Sequence, residues 1–261
     1  MSSAVPGAQV VTRVGNVIRA VAGLAPGGGT TTQVARASGL TRSTAHRLLS
    51  SLLQEGYVDR DRSSSLWFLG PELYVLGALA GTRYDVTEHA RAALRVLAQE
   101  SEESAFFSVR RQGETVCLMR EEGSFPIRSF VLHEGKRFPL GVASAGLVIL
   151  SHLSNSEIDD YLREDPLVPG WGAEHARAAL LTRIEETRVR GYALNPGLVV
   201  EGSWGMAAAV FNIAGRPEWA LSITGVESRF GADRIERLGR LLLAQAHQLT
   251  RRMQMRERDG G

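Results

Sequence analysis

The chain has 261 residues, of which 44% are hydrophobic and 22% charged, and its formal net charge is +2. This composition is ordinary for a globular protein, and the length allows two domains. No apolar run approaches the roughly 20 residues that cross a bilayer, and the N-terminus lacks the pattern of a signal peptide. The single cysteine, Cys117, excludes an intramolecular disulfide and a cysteine-based zinc cluster. We therefore expect a cytoplasmic protein with no membrane partner.

Three helices are predicted before residue 55. The first carries an apolar residue at every third or fourth position, namely Val10, Val14, Val17, Val21 and Leu24. The second spans about residues 32–37 and is followed by Gly39, which can adopt the positive φ of a tight turn. The third has an apolar face formed by Ala45, Leu48, Leu49, Leu52 and Leu53.

The polar face of the third helix has the side chains of a DNA recognition helix. Its members are Thr41, Arg42, Ser43, Thr44, His46 and Arg47. Thr41 is suited to cap the helix, because its hydroxyl can accept from an amide of the first turn. Short donors at the helix start suit base edges, and longer basic groups beside them suit phosphates.

A basic hairpin is predicted directly after this helix. Residues 55–60 and 66–69 form its two strands, and Arg60 and Arg62 lie near its tip, where phosphate contact is expected. A solvated surface helix with two arginines is the competing interpretation. Three helices followed by a hairpin favour a winged helix-turn-helix domain over residues 1–70.

The charge distribution agrees with this assignment. Residues 1–70 contain seven arginines and three acidic residues, whereas residues 71–261 contain 23 basic and 25 acidic residues. The positive excess therefore lies in the segment predicted to contact phosphates.

Residues 71–84 predict a linker helix that is apolar over a broad face. Such a helix packs against the same helix or the first helix of a second subunit, or alternatively within its own chain. Residues 85–261 predict an α+β domain, an antiparallel sheet flanked by helices. Expected strands are 105–109, 115–119, 127–132, 137–140, 206–212 and 218–225. Expected helices are 84–100, 143–153, 156–162, 174–190 and 233–255.

A ligand pocket is predicted where residues 141–146 open a helix after a strand. Small residues let a ligand approach the backbone, and free amides at a helix start attract a carboxylate. Ser144 adds a hydroxyl. The alternative is a small-residue helix packed closely on the sheet. Arg128 is the nearest candidate for an ionic clamp on a carboxylate, and a surface arginine is its alternative role.

Three segments carry a resemblance to a known family. They are LTRSTAHRLLSSLLQEGYV at 40–58, RFPLGVASAGLVIL at 137–150, and RGYALNPGLVVEGSWGMAAAVFNIAGRPEWALSITG at 190–225. In this order they resemble the IclR-type transcriptional regulators over nearly the full length. The resemblance implies a winged helix-turn-helix, a linker helix and a GAF-like effector-binding domain. It also implies a homodimer or homotetramer that binds operator DNA and a small organic acid or aromatic compound and regulates a catabolic operon.

The resemblance also implies effector contacts. They are Ser144, Ala145, Gly146, Asn195, Gly205, Ser222 and Thr224. Ser222 and Thr224 alternate on one strand, so both hydroxyls face the same side. Ser203, Trp204 and Met206 are expected to form a stacking wall for an aromatic or acyl group.

The chain departs from the common pattern of this family at the pocket. Gly141, Val142, Ala143 and Ser144 stand where many members have a histidine, then cysteine or serine, threonine or serine, and alanine. Gly205 replaces a small polar residue or cysteine, and Ala209 replaces a frequent proline. A less polar, roomier pocket is therefore predicted, which favours a larger, partly apolar acid over one the size of glyoxylate or pyruvate.

The competing function is an enzyme with a DNA-binding appendage that acts on a small carboxylic metabolite. The sequence lacks a Walker loop, a nucleophile elbow and the HExxH zinc motif. The six histidines show no ligand spacing, and His152 and His175 are expected at the surface or as helix caps. We expect no enzymatic activity, no metal and no cofactor. A purely architectural DNA binder would not need the large second domain.

Overall fold

The computed structural model describes residues 9–81, 86–163 and 167–259. The chain divides into two compact units, Met1–Asp85 and Val86–Gly261. Among the described residues, no helix is both long and apolar enough to cross a membrane.

The N-terminal unit is a winged helix-turn-helix, as predicted. Its helices are α1 (Gln9–Ala22), α2 (Thr31–Ser38), α3 (Arg42–Gln54) and α4 (Pro71–Gly81). Strands β1 (Val58–Arg60) and β2 (Trp67–Leu69) pair antiparallel. A small apolar core contains Val17, Val21, Val34, Leu49, Leu52, Val58 and Trp67. This core fixes α3 against the other two helices and leaves its polar face outward.

Local signals determine the turn before α3. Thr30 and Gln33 form a reciprocal capping box at the start of α2. Gly39 has a φ of 67° and ends α2 in the left-handed conformation that the sequence predicted. Thr41 Oγ1 then accepts from the amide of Thr44 at 3.3 Å, which confirms its capping role.

Some elements of this unit are shorter than the sequence predicted. Helix α1 ends at Ala22, so Leu24 lies in the following turn, and Val10 is exposed near the start of the helix. Leu53 is 39% exposed because it lies at the edge of the apolar face of α3. The first wing strand begins only at Val58, since the amide of Tyr57 still donates to Leu52 O at the end of α3.

The predicted linker is helical over Pro71–Gly81, and residues 82–84 lie outside the described part of the chain. Its large apolar side chains are exposed in the single chain, among them Tyr74 (81%), Val75 and Leu76.

The C-terminal unit is built on a six-stranded antiparallel sheet. The strands are β3 (Ser104–Arg111), β4 (Glu114–Glu121), β5 (Arg137–Pro139), β6 (Ala193–Pro196), β7 (Ser203–Phe211) and β8 (Pro217–Val226). Their order is β5-β4-β3-β8-β7-β6, which brings β3 next to β8 in the centre.

Helices cover both faces of this sheet. They are α5 (Val86–Ser101), α6 (Ser144–Ser151), α7 (Asn155–Tyr161), α8 (Val168–Trp171), α9 (Arg177–Arg190) and α10 (Ala232–Asp259). Helices α5 and α10 pack on one face and bury Met206, Leu221 and Ile223. Helices α6 and α9 cover the other, where alanines at 207, 209 and 220 lie in the same core as α6. This α+β arrangement confirms the predicted GAF-like class.

The structure corrects the element assignment in several places. Residues 127–132 form no strand, because Arg128 bonds back to Phe125 O and Glu122, and β5 occupies the sheet edge. Strand β6 and helix α8 were not predicted. Helix α5 is described from Val86, so its expected start at residue 84 lies outside the described part. His175 is 1% exposed rather than at the surface.

Candidate functional site

The polar face of α3 is accessible. Arg42, Ser43, His46 and Arg47 are exposed, and Thr44 is half-buried. The Thr41 hydroxyl bonds to Thr44 Oγ1 at 2.9 Å as well as capping the helix. The α3 start thus presents short polar groups on a rigid, capped turn, with Arg47 one turn further along.

The wing is held by its own contacts. Trp67 Nε1 donates to Thr31 Oγ1 at 2.9 Å, and the Arg60 guanidinium lies 5.2 Å from the centre of the Trp67 ring. Arg60 and Arg62 are both exposed. In the turn between them, Asp61 accepts hydrogen bonds from the hydroxyls and amides of Ser63 and Ser64, which hold the pKa of Asp61 well below its usual range. This acid is therefore bonded within its own turn, and two cations flank it.

The C-terminal unit contains a narrow cleft beside the start of α6. About 450 Å³ within it is free of protein atoms, open solvent included, and the cavity itself is small, about 30 Å³. Strands of the sheet form the floor, the start of α6 forms one wall, and residues 131–132 form another. The lining residues are Ser108, Thr115, Val131, Leu132, Phe138, Ala143, Ser144, Ala145, Asn195, Val199, Ser203, Trp204, Gly205, Ser222 and Thr224.

Two hydroxyls on the cleft floor have no hydrogen-bond partner. Ser222 Oγ and Thr224 Oγ1 are both buried and unpartnered, and the Ser222 side chain is only 1% exposed. A buried polar group without a partner costs about 1–3 kcal/mol. Such groups at the wall of a cleft are candidates for hydrogen bonds to a ligand or to an ordered water.

The start of α6 contributes further donors. Ala143 occupies the N-cap position and provides no side-chain cap, so no side chain caps the first-turn amides of α6. Ser144 and Ala145 line the cleft at this point. The helix start therefore adds a partial positive charge to a cleft that is otherwise neutral.

Other polar residues of the cleft are already bonded. Asn195 Nδ2 donates to Val142 O at 2.7 Å, and Asn195 Oδ1 accepts from the amide of Leu198 at 3.0 Å. The Ser203 and Ser129 hydroxyls are 2.6 Å apart. Asn195 thus holds the segment before α6 in place, and Ser203 connects β7 to the irregular segment that contains Ser129.

Gly205 gives the cleft its space near α6. A Cβ atom at this position would lie 3.1 Å from Ser144 Oγ and 3.6 Å from Thr224 Cγ2. Any larger residue would fill the gap between the helix start and the floor.

Three predicted contacts lie elsewhere. Arg128 does not line the cleft, because it is paired with Glu122. Gly146 packs behind the helix start, where a Cβ would lie 3.0 Å from Leu140 Cα. Met206 faces α5 and α10, since side chains alternate along β7. Trp204 borders the cleft and also packs on the Phe230 ring, with centroids 6.0 Å apart, so of the expected stacking wall Ser203 and Trp204 line the cleft and Met206 does not.

The sequence analysis missed the far part of the cleft. Ser108, Thr115 and Phe138 lie on β3, β4 and β5, and Val131, Leu132 and Val199 come from irregular segments. Serine or threonine at an inward position of an otherwise apolar strand was the available signal for Ser108 and Thr115.

The cleft offers little acid–base chemistry. No titratable side chain belongs to its described lining. Cys117 lies nearby in the core, where burial raises its pKa to about 12 and keeps the thiol protonated. Within the described ranges, no group of three or more His, Cys, Asp or Glu residues could hold a metal ion.

Comparisons with known proteins found matches for both the N-terminal and the C-terminal unit. Two family models match: the IclR helix-turn-helix domain over residues 10–62, and the bacterial transcriptional regulator IclR C-terminal region over residues 78–251. The transcriptional regulator KipR of Bacillus subtilis is 27% identical, over 86% of this chain and 89% of its own length. The glycerol operon regulatory protein of Streptomyces coelicolor is 30% identical, over 75% and 76%.

Solved structures show the same architecture. An IclR-type regulator from Alicyclobacillus acidocaldarius has a TM-score of 0.78 at 25% identity, covering 94% of this chain and 98% of its own. An IclR homologue from Microbacterium hydrocarbonoxydans, complexed with 4-hydroxybenzoate, has a TM-score of 0.73 at 20% identity, covering 92% and 98%. With both models together spanning most of the sequence, the chain belongs to the IclR family of bacterial transcriptional regulators.

Proposed function

We propose that this regulator binds operator DNA through α3 and the wing and responds to a small, partly apolar organic acid that binds in the cleft beside α6. The main support for an effector at this place is the pair of buried, unpartnered hydroxyls of Ser222 and Thr224. They lie at a helix start without a side-chain cap. An acid with an aromatic or acyl body fits the mixed lining of hydroxyls and apolar side chains.

For the DNA half, α3 enters the major groove. Arg42, Ser43, Thr44 and His46 are placed to contact base edges near the start of α3, Thr41 caps it, and Arg47 lies beside the phosphates. Arg60 and Arg62 on the wing contact the adjacent backbone. The accessible polar face of α3 and the folded wing support this assignment.

The functional unit is proposed to be a homodimer or a homotetramer. The exposed apolar side chains of α4 support it, because exposing Tyr74, Val75 and Leu76 together to water is unfavourable for a monomer. Packing of α4 on a second copy would set the spacing of two recognition helices.

The regulator is proposed to control a catabolic or metabolic operon, and the acid is proposed to be its effector rather than a substrate. An enzyme acting on a carboxylic metabolite would need a base, an acid or a nucleophile in the cleft. The described lining offers hydroxyls and one amide, without a titratable partner to activate them.

One experiment tests both halves. DNA from the promoter next to the regulator's own gene is titrated by fluorescence anisotropy, with and without acids chosen by a thermal-shift screen of carboxylic and aromatic metabolites. A ligand that binds only the folded state raises the apparent stability. The screen includes 4-hydroxybenzoate, the molecule bound to the Microbacterium homologue.

The Ser144→Leu variant supplies the control. It is expected to bind the promoter like the wild type and to lose the response to the acid, because the larger side chain fills the cleft beside Gly205. If the response and the promoter affinity both survive, the effector binds elsewhere. If the wild type does not bind promoter DNA, the proposed DNA binding by α3 and the wing is wrong.

A further inference from the structure

The polar floor of the cleft continues beyond the residues proposed to hold the acid. Ser108 on β3 and Thr115 on β4 also line it, and they are 2% and 3% exposed. The Thr115 hydroxyl already donates to Phe138 O at 3.4 Å, so Ser108 is the hydroxyl of this pair that a ligand can engage. Neither residue belongs to the start of α6, and nothing in the proposed acid contact uses them.

The strand register places these hydroxyls on one diagonal line. Ser222 on β8 is opposite Phe106, and Ser108 is opposite Ala220, so Ser108 lies one strand across and two residues along from Ser222. With strands about 4.8 Å apart and about 3.4 Å per residue, that step is about 8 Å. Thr115 lies opposite Arg110, a further similar step along the same diagonal.

The surroundings of this second pair are apolar. Phe138 pairs with Thr115 across β4 and β5, and its ring packs edge-on against Trp171 at 5.6 Å. Leu132 closes the same end of the cleft. A hydroxyl in such a setting contributes little to an apolar ligand but can distinguish a ligand that carries a second polar group.

We propose that Ser108 forms a second polar subsite, which recognises a hydroxyl or carbonyl group about 8 Å from the carboxylate of the effector. This inference rests on the proposed function, since the carboxylate is taken to bind at α6, Ser222 and Thr224. The effector is accordingly a bifunctional acid, with its apolar body between two polar ends.

Two acids that differ in one hydroxyl test the subsite. These are 3-(4-hydroxyphenyl)propanoate and 3-phenylpropanoate, whose Kd values for the full-length protein are measured by calorimetry. The wild type is expected to bind the hydroxylated acid roughly 2- to 10-fold more tightly, the usual gain from one neutral hydrogen bond. In Ser108→Ala that ratio is expected to fall towards about one, whereas in Thr115→Val, which removes a hydroxyl bonded to Phe138 O, it should be unchanged.

Matched substitutions keep the result interpretable. Ser151→Ala removes another buried hydroxyl, one that bonds to Val148 O within α6 and does not line the cleft, and the ratio should be unchanged. Ser222→Ala should weaken both acids by a similar factor and leave their ratio intact.

The outcomes separate the two proposals. Equal affinity for the two acids in the wild type, or a preference that survives in Ser108→Ala, overturns the subsite while the acid site stands. If neither acid binds, the subsite as proposed is overturned as well. If both acids bind but Ser222→Ala leaves both affinities unchanged, the acid site itself is misplaced.

Discussion

The Gly205→Ala substitution tests the cleft with the smallest possible change. The added methyl group would lie 3.1 Å from Ser144 Oγ and 3.6 Å from Thr224 Cγ2, in the gap between the start of α6 and the floor. A carboxylate bound at the helix start needs the same space. We expect the variant to fold normally and to bind the effector much more weakly.

The effect on stability should be small, because two contributions oppose each other. Alanine in place of glycine within a strand gains about 0.5–1 kcal/mol from backbone entropy. Moving the Ser144 hydroxyl by a few tenths of an ångström costs a comparable amount, at the low end of the range for overpacking. The net change should stay within about 1 kcal/mol, or about 4 °C in Tm for a unit of this size.

The effect on binding should be larger. A hydrogen bond to a charged group contributes about 1.5–3 kcal/mol, so losing one at the carboxylate predicts a Kd increase of roughly tenfold or more. Calorimetry with an acid from the screen gives the Kd, and thermal unfolding gives the stability. Gly170→Ala is the matched control, since nothing lies within 4 Å of the added Cβ. An unchanged Kd in a stable Gly205→Ala protein would refute this placement of the acid.

Three further predictions concern DNA binding, pH and assembly. Arg47→Ala should weaken promoter binding and reduce the slope of log K against log salt by about 0.9. Arg240→Ala in the C-terminal unit should change neither quantity. Anisotropy titrations at several salt concentrations measure the affinity and the slope. Burial lowers the pKa of His175, so its contribution to stability is present above the unfolded-state pKa of about 6.5 and is lost as the pH falls towards the folded-state value. The urea midpoint should therefore fall more between pH 7.5 and 5.5 in the wild type than in His175→Gln, and equal falls would contradict this reasoning. Tyr74→Glu on α4 should lower the mass seen by sedimentation, and Glu72→Ala should leave it unchanged.

Local features of the sequence were sufficient to predict the N-terminal unit. The cap at Thr41 and the left-handed turn at Gly39 are decided by residues within four positions of each. The same local reasoning was wrong for residues 127–132, whose apolar residues Ile127, Phe130, Val131 and Leu132 resemble a short strand. Arg128 there pairs with Glu122 and bonds to Phe125 O, and a pattern of apolar residues contains no information on such a contact.

Half of the cleft could not be predicted, because it depends on strand order. Ser144 and Ser222 stand in recognisable motifs, but Ser108 and Thr115 join them only because β3 lies between β4 and β8. A register shift of one residue would turn both hydroxyls to the face covered by α5 and α10. Strand β6 was missed for a related reason: Asn195 and Pro196 are typical of turns, and only pairing with β7 makes them part of the sheet.

The neutral lining of the cleft explains how an acid could control its state. A buried arginine without a counter-ion would cost several kcal/mol in the empty protein, whereas the unpartnered hydroxyls of Ser222 and Thr224 cost about 1–3 kcal/mol each. The proposed acid would remove that cost by accepting from both hydroxyls. Binding of the proposed acid would therefore stabilise the packing of α6 on the sheet beyond what contacts of the ligand body contribute. A ligand can shift a conformational equilibrium only by its difference in affinity for the two states, and these two hydroxyls would supply such a difference.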